Sequence, residues 1–314
     1  MTNPSPAISL IFPGQGSQAV GMGMALAEAY PAAKAVFDEV DEALGEKLSS
    51  LIADGPAEDL TLTANTQPAL MAVSMAAFCV LQEEGLAIAA ITSMAGHSLG
   101  EYAAYCAAGA ISLSDTAKLL RLRGEAMQAA VPVGEGAMAA IIGLDLDQMT
   151  AVLGDTGAEL ANDNSPGQVV ISGAKAAVEA ACAAAKAAGA KRALLLPVSA
   201  PFHSTLMAPA QEKLAAALAE TDIIAPAVPI FSNVLAAPVT DPDEIRRTLT
   251  EQVTGRVRWT ESVGAMADAG TEIFVEVGAG KVLTGLVKRI AKGTTAFRVG
   301  SPDDLAAYRD AVAS

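Results

Sequence analysis

Residues 88–108 read IAAITSMAGHSLGEYAAYCAA and carry three local signals in a row. The apolar run from Ile88 to Ala95 predicts a buried strand, and Leu99 to Ala108 predict a helix. Between them lies Gly96-His97-Ser98-Leu99-Gly100, a G-x-S-x-G sequence in the strand–turn–helix context that a nucleophile elbow requires. Glycine suits such a turn because the backbones approach too closely for side chains. The stretch therefore predicts an α/β protein that presents Ser98 at the end of a strand.

The same alternation of strands and helices extends along the chain. Ile8 to Phe12 is a short apolar strand that Pro13-Gly14 ends, and three helical stretches are predicted between Ala25 and Leu81. Further helices are predicted at 209–218, 243–254, 260–269 and 282–290, and further strands at 228–234 and 273–277. This alternation predicts a parallel sheet covered by helices.

Residues 137–198 have a different order of elements. They predict a strand at 137–144, a helix at 146–153, hairpin strands at 159–163 and 168–172, a helix at 174–188 and a strand at 191–198. This β-α-β-β-α-β order is the split βαβ, ferredoxin-like pattern. We interpret it as a small subdomain, 134–198, inserted into a larger, discontinuous α/β subdomain formed by 1–133 and 199–314. The stretches 134–136 and 197–201 are the predicted crossings.

Composition excludes several classes of protein. The 314 residues contain 20 Lys and Arg against 35 Asp and Glu, a net charge of −15. Nucleic-acid binders usually carry the opposite balance, because phosphate neutralisation supplies most of their affinity. The longest nearly uncharged apolar stretch, Ala69 to Leu81, is about 13 residues, whereas a membrane-spanning helix needs about 20. Met1 to Phe12 carry no positive charge ahead of their apolar run, so we expect no secretory signal.

The few cysteines and histidines restrict the chemistry further. The three cysteines lie far apart and form no CxxC pair, so we expect them to be reduced, buried and apolar in a cytoplasmic protein. With His97 and His203 as the only histidines, a histidine-rich zinc site is not expected.

Ser98 needs a base, since a serine hydroxyl is a poor nucleophile until its proton is removed. His97 is its neighbour in sequence, but adjacent side chains on a sharp turn usually point apart. His203 follows the insertion on a loop, where catalytic groups commonly lie, and we expect it to be the base. A capping serine in an ordinary turn and a packed histidine are the alternatives.

Two other features suit acyl transfer. The Leu99 N–H follows the nucleophile and is the usual first donor of an oxyanion hole. The turn Pro13-Gly14-Gln15-Gly16 leaves the neighbouring strand and offers the Gln15 N–H as the second donor. Arg123 lies in an otherwise apolar helical stretch. A solvated arginine is the ordinary interpretation, whereas a buried one needs a carboxylate partner, for which a substrate carboxylate is suited.

At these residues the chain resembles the malonyl-CoA:acyl carrier protein transacylases of bacterial fatty acid synthesis. The similar segments run in the family's order from residue 12 to about 290. They are FPGQGSQ (12–18), TQPAL (66–70), GHSLGEY (96–102), RG (123–124), GAMAA (136–140), NSPGQ (164–168), PFHS (201–204) and EVGAGKVL (276–283).

The resemblance implies a fold and a set of roles. It implies a hydrolase-like large subdomain with a short parallel sheet and a ferredoxin-like small subdomain. Ser98 is the residue that is acylated, and His203 is the base. By the same resemblance, the backbone carbonyl of Gln252 orients His203. The remaining implied roles are an oxyanion hole formed by Gln15 and Leu99 and a malonyl-carboxylate site at Arg123.

The implied activity is a ping-pong transfer of malonate from malonyl-CoA to the phosphopantetheine thiol of acyl carrier protein, which supplies extender units for fatty acid biosynthesis. The resemblance implies no metal and no bound cofactor. Malonyl-CoA, coenzyme A and transiently bound acyl carrier protein are the expected partners of a cytoplasmic monomer, with no nucleic acid and no membrane. The alternatives are a stand-alone polyketide-type acyltransferase, a serine thioesterase or esterase, and an inactive carrier-binding scaffold.

Docking of an acidic carrier protein on this acidic chain requires a local basic patch. Lys288, Arg289 and Lys292 form one candidate, and Lys191 with Arg192 forms another. An ordinary solvated face is the alternative interpretation of both.

Overall fold

A computed structural model describes residues 6–154, 156–198 and 200–312. Ser199, which lies in the predicted second crossing and begins the predicted C-terminal part of the large subdomain, lies outside the described residues. So do residues 1–5 and 313–314, which the sequence assigns to the same subdomain.

The strands and helices follow one another along the whole chain. The strands are β1 (Ile8–Phe12), β2 (Ile91–Gly96), β3 (Gly136–Ile142), β4 (Glu159–Ser165), β5 (Gln168–Ala174), β6 (Arg192–Leu195), β7 (Ile230–Phe231), β8 (Pro238–Val239), β9 (Ile273–Val277) and β10 (Thr295–Val299). The helices are α1 (Met24–Ala29), α2 (Pro31–Leu44), α3 (Leu48–Asp54), α4 (Ala57–Thr61), α5 (Thr63–Glu83), α6 (Leu99–Ala107), α7 (Leu113–Ala129), α8 (Leu146–Leu153), α9 (Lys175–Ala187), α10 (Ala208–Glu220), α11 (Pro242–Glu251), α12 (Trp259–Asp268), α13 (Val282–Ile290) and α14 (Leu305–Val312). Short 3₁₀ helices lie at 88–90, 205–207 and 302–304.

The larger sheet has the strand order β10-β9-β1-β2-β7-β8 and is parallel except for the β7–β8 pair. Every residue of β1 and β9 is buried, as expected for central strands of a parallel sheet with helices on both faces. In the β1–β2 pair, Phe12 lies opposite Gly96, so both strands end at the same edge. The turn after β1 is therefore placed beside the turn after β2.

The smaller sheet is antiparallel and has the order β4-β5-β3-β6. Helix α9 packs on β3, β5 and β6, and α8 packs on α9. This is the ferredoxin-like arrangement that the sequence predicts, and the mixed α/β fold class is confirmed. The subdomain boundaries at 134 and 198 stay a prediction.

Several predicted elements have different bounds in the structure. β2 begins at Ile91 because 88–90 form a 3₁₀ turn, and five helices replace the predicted three before residue 84. The predicted strand 228–234 is reduced to two residues, because residues 232–236 turn back through a hydrogen bond from the Ala236 N–H to the Ser232 carbonyl. β10 was missed because it is largely exposed or half-buried and has a weak apolar signal.

Helix α5 is longer than the 13-residue apolar stretch identified in the sequence, because it also includes residues 63–68 and 82–83. Its 21 residues are long and apolar enough to cross a membrane by composition alone, and 83% of the qualifying window is buried inside the protein. The helix packs against α2, α6 and α7. It therefore has the burial of a core helix, and it carries Gln67 into the interior.

The turn between β2 and α6 depends on its two glycines. A β carbon on Gly96 would lie 1.9 Å from the carbonyl carbon of Gly100, and one on Gly100 would lie 2.2 Å from the Phe12 oxygen. Ser98 between them has a φ of 54°, a left-handed conformation that is costly for a residue other than glycine. The packing of β1, β2 and α6 therefore holds Ser98 in a strained turn.

We expect Gly96→Ala to lower the free energy of unfolding by at least about 2 kcal/mol, because backbone atoms block the added methyl group. Gly285→Ala is the matched control: Gly285 is an exposed glycine in α13 with open space around it, and alanine there should raise stability by about 0.5–1 kcal/mol. Urea unfolding of both variants measures the difference. Equal effects of the two substitutions would contradict the packing argument.

Candidate active site

Ser98 and His203 meet at the carboxyl edge of the larger sheet. The Ser98 Oγ lies 2.8 Å from the His203 Nε2. The His203 Nδ1 lies 2.9 Å from the Gln252 carbonyl oxygen and 3.1 Å from the Gly255 carbonyl oxygen. Because carbonyl oxygens only accept, Nδ1 carries the ring proton and Nε2 is left to accept from the serine hydroxyl. The structure thus brings the predicted serine, histidine and Gln252 carbonyl together and adds Gly255, which the sequence did not indicate.

Burial keeps the imidazole of His203 neutral. Desolvation lowers the pKa of His203 to about 3, and the positive charge of Arg123 acts in the same direction. A neutral imidazole with a free Nε2 can take a proton at neutral pH. Since the unfolded chain would bind this proton near pH 6.5, the contribution of His203 to stability is lost as pH falls from about 6.5 toward 3.

Arg123 reaches the same serine from α7 and is fully buried. Its Nη2 lies 3.1 Å from the Ser98 Oγ and 2.9 Å from the Gln252 Oε1, and its Nη1 lies 2.8 Å from the Gln67 Oε1. Amide oxygens are therefore among its acceptors within the described residues, and the substrate carboxylate expected from the sequence stays a prediction. The Arg123 Nε is buried without a partner in the described structure.

Gln15 and Leu99 both line the cavity that contains Ser98. Leu99 begins α6 directly after Ser98, and Gln15 lies in the turn after β1. A β carbon on Gly14 would lie 2.7 Å from the His97 carbonyl oxygen, so this turn packs directly on the elbow. The two residues are therefore placed at one cavity, and their role as oxyanion donors stays a prediction.

The cavity around Ser98 has a volume of about 330 Å³ and lies between the two sheets. The larger subdomain contributes polar side chains to its lining, among them Gln15, Gln67, Arg123 and His203. The smaller sheet adds both polar and apolar side chains, and the crossing after it adds apolar ones; they are Asn162, Asn164, Met138, Val170, Leu196 and Val198. The site can therefore hold a small acyl group with a polar end.

Sequence reasoning missed residues that are far from the elbow in sequence but form hydrogen bonds with it in the fold. The Asn233 Oδ1 accepts from the Ser98 N–H at 2.8 Å, and the Asn233 Nδ2 donates to the Gly96 carbonyl at 2.7 Å. No sequence signal marked Asn233, which fell inside a predicted strand. His97 does not reach the Ser98 hydroxyl; its Nε2 lies 2.8 Å from the Asn164 Oδ1 on β4.

Glu101 lies beneath this site on the first turn of α6 and is fully buried. Its Oε2 accepts from the Gln252 Nε2 at 2.6 Å and from the Asn233 N–H at 3.1 Å. Desolvation raises the pKa of Glu101 to about 7, although these hydrogen bonds and Arg123 lower it. Glu101 lies in the GHSLGEY segment (96–102), but the sequence analysis assigned it no role.

Within the ranges 6–154, 156–198 and 200–312, no group of three or more His, Cys, Asp or Glu side chains could hold a metal ion. The three cysteines are free thiols. Cys106 and Cys182 are buried as expected, whereas Cys79 is half-buried.

Known proteins match nearly the whole chain. The acyl transferase domain family matches residues 9–301. The malonyl CoA-acyl carrier protein transacylase of Escherichia coli K12 is 51% identical over 304 residues, which cover 95% of this chain and 97% of the relative. The crystal structure of the acyl-carrier-protein-S-malonyltransferase from Bartonella henselae is 51% identical with a TM-score of 0.95, and the match covers 98% of this chain and 100% of that one.

A second solved structure contains a carrier protein. It is a type II PKS acyl-carrier protein in complex with its malonyl-transacylase, whose chain is 43% identical with a TM-score of 0.93, covering 98% of this chain and 99% of that one. Fold, site and matches together define an enzyme of the acyltransferase class. The chain belongs to the acyl transferase domain family.

We expect His203 to stay unprotonated between pH 5 and 8, because burial lowers its pKa to about 3; burial also lowers the pKa of His97 below its usual value. In Arg123→Met the pKa of His203 should rise, since a nearby cation is removed, whereas His97 should be unchanged because its pKa depends on burial and on Asn164. Imidazole ¹⁵N NMR measures both histidines in one sample. A His203 that titrates near 6.5 in the unmodified protein would contradict the assigned environment.

Proposed function

We propose that this acyltransferase moves the malonyl group of malonyl-CoA to the phosphopantetheine thiol of acyl carrier protein through a malonyl-Ser98 intermediate. The observation that carries the proposal is the position of the Ser98 Oγ, 2.8 Å from the acceptor His203 Nε2 and 3.1 Å from the donor Arg123 Nη2. One neighbour can take the serine proton and the other can bind a carboxylate. The names and high coverage of the relatives support the same activity.

The first half-reaction acylates the serine. The Ser98 Oγ bonds to the thioester carbonyl carbon while its proton passes to the His203 Nε2. The carbonyl oxygen becomes an oxyanion that the Leu99 and Gln15 N–H groups stabilise, each donor contributing about 2.7–4 kcal/mol in such sites. The carbon–sulfur bond then breaks, and the coenzyme A sulfur takes the proton from His203 as it leaves.

The second half-reaction repeats these steps with a different thiol. The carrier's phosphopantetheine thiol gives its proton to His203 and attacks the malonyl-Ser98 ester. The ester bond breaks, and the proton returns from His203 to the Ser98 oxygen. One thioester replaces another, so no metal or bound cofactor enters the scheme. In the rival thioesterase reaction, water takes the place of the carrier thiol.

Arg123 supplies the selection for malonate in this proposal. A guanidinium matches a carboxylate through two parallel hydrogen bonds. The buried Nε without a partner and the weak amide acceptors at the other nitrogens leave Arg123 undercompensated until a carboxylate enters. An acetyl group cannot provide that partner, and sites of this kind reject such analogues by about 10⁴ or more.

The two candidate basic patches for carrier docking lie at one end of the smaller sheet. Ile142 pairs with Gln168 on one side and with Arg192 on the other. The Arg289 Nη1 donates to the Gln168 Oε1 at 2.7 Å, which links α13 to the same end. We therefore propose that the two patches form one continuous basic surface that binds an acidic carrier protein. We also propose that the enzyme acts as a cytoplasmic monomer in fatty acid biosynthesis.

Incubation with malonyl-CoA should add one malonyl group to the protein and none to Ser98→Ala, because the acceptor hydroxyl is gone. Intact-protein mass spectrometry measures the adduct. Addition of carrier protein should transfer the group to its thiol faster than water releases it. A malonyl adduct on Ser98→Ala, or equal loss with and without carrier, would contradict the transferase scheme.

Arg123→Ala should lower kcat/KM for malonyl-CoA by about 10²–10⁴ while transfer of acetyl groups persists or rises, because only malonate uses the guanidinium. Arg121→Ala is the control. Arg121 lies on the same helix, but its Nη1 donates to the Ala64 carbonyl of α5 and not to the serine, so its loss should leave selectivity unchanged. Steady-state kinetics with both acyl-CoA substrates measure the ratio. Unchanged malonyl kinetics in Arg123→Ala would remove Arg123 from the mechanism.

A further inference from the structure

The carboxylate of Glu101 is buried without an ion pair within 4 Å among the described residues, which is an expensive arrangement for an acid. One of its oxygens, Oε2, receives two N–H groups, from the Gln252 side chain and from the Asn233 backbone. The Ser232 hydroxyl lies close enough to the carboxylate to lower its pKa, but the other oxygen, Oε1, accepts no well-aligned hydrogen bond in the described structure. This burial suggests that Glu101 has a role beyond packing.

The Gln252 amide touches three parts of the site. Its Nε2 donates to the Glu101 Oε2 at 2.6 Å and to the Ser98 carbonyl oxygen at 3.0 Å, and its Oε1 accepts from the Arg123 Nη2 at 2.9 Å. The backbone oxygen of the same residue accepts from the His203 ring. Gln252 therefore joins the nucleophile, the base and the arginine.

Only one orientation of this amide satisfies all its neighbours. The ionised Glu101 carboxylate and the Ser98 carbonyl only accept, and the Arg123 guanidinium only donates. A flipped amide would place its oxygen against two acceptors and its NH₂ group against the arginine donors. Glu101 thus fixes the face of the amide that Arg123 meets.

We propose that Glu101 is a positioning residue which, through the side-chain amide of Gln252, holds Arg123 beside Ser98 and thereby sets the enzyme's preference for acyl groups that carry a carboxylate. This inference rests on the proposed malonyl transfer. Glu101 contacts neither the Ser98 hydroxyl nor the His203 ring among the described hydrogen bonds, so it acts on selection rather than on proton transfer.

The hydrogen bond from the Asn233 backbone N–H to Glu101 is not needed to hold Asn233 in place. Asn233 keeps another backbone anchor, since its carbonyl accepts from the Arg258 N–H at 2.9 Å. Its side chain also remains bonded to Ser98 and Gly96. Loss of the Glu101 oxygen therefore affects the Gln252 amide more than it affects the elbow.

Two substitutions of Glu101 distinguish the effect of its side-chain length from the effect of its negative charge. Glu101→Asp keeps the carboxylate but withdraws it by one methylene, so the oxygen can no longer meet both N–H groups. Glu101→Gln loses the charge but keeps a carbonyl oxygen that can accept from both. We expect the ratio of kcat/KM for malonyl-CoA over acetyl-CoA to fall about tenfold or more in Glu101→Asp, and to be largely retained in Glu101→Gln.

A third variant tests the route through the amide. Gln252→Met keeps the backbone carbonyl that faces His203 but removes every side-chain hydrogen bond to Glu101, Ser98 and Arg123. It should reproduce the loss of selectivity, and the Glu101→Asp/Gln252→Met double variant should lose no more than Gln252→Met alone. This arm also tests the proposal if Glu101→Asp does not fold.

Each other outcome overturns the inference. Retention in Glu101→Asp with loss in Glu101→Gln would show that the charge acts directly on Arg123. Equal losses for malonyl-CoA and acetyl-CoA would show a purely structural role, and additive losses in the double variant would show that Gln252 is not the link. Absence of a malonyl adduct on the unmodified enzyme would instead contradict the proposed function itself.

Discussion

The Ser98 Oγ lies between a hydrogen-bond acceptor and a buried cation, and the chemistry of the site depends on this arrangement. The His203 Nε2 at 2.8 Å can take its proton, and the Arg123 Nη2 at 3.1 Å holds the space where a carboxylate can bind. Burial and Arg123 together lower the pKa of His203, so the imidazole stays neutral and available as a base. A single cation therefore lowers the pKa of the base and, in the proposed mechanism, also selects the substrate.

The fold keeps this arrangement together through contacts between distant segments. The strained turn at Ser98 is held by close approaches of β1, β2 and α6, where Gly96 and Gly100 leave no room for side chains. The carbonyls of Gln252 and Gly255 orient the imidazole, and the same segment continues to Val257, whose N–H donates to the Ala161 carbonyl on β4. The smaller sheet is thus hydrogen-bonded to the segment that orients the base.

Local chemistry made much of the fold and of the site predictable from the sequence. The G-x-S-x-G turn was recognisable because close backbone contacts require glycine at its two ends. The β-α-β-β-α-β order of the insert was recognisable from hydrophobic periodicity. Asn233 and the partners of Glu101 were not predictable, because their hydrogen bonds join residues more than 130 positions apart. The amide environment of Arg123 was missed for the same reason, since Gln67 and Gln252 meet it only in the folded chain.

The most direct measurement of the central claim is a crystal structure of the malonyl-CoA-treated protein. We expect an ester on the Ser98 Oγ, with its carboxylate paired with the Arg123 guanidinium and its carbonyl oxygen directed at the Leu99 and Gln15 N–H groups. An acyl group whose carboxylate points away from Arg123 into solvent, or an ester on any other side chain, would contradict it.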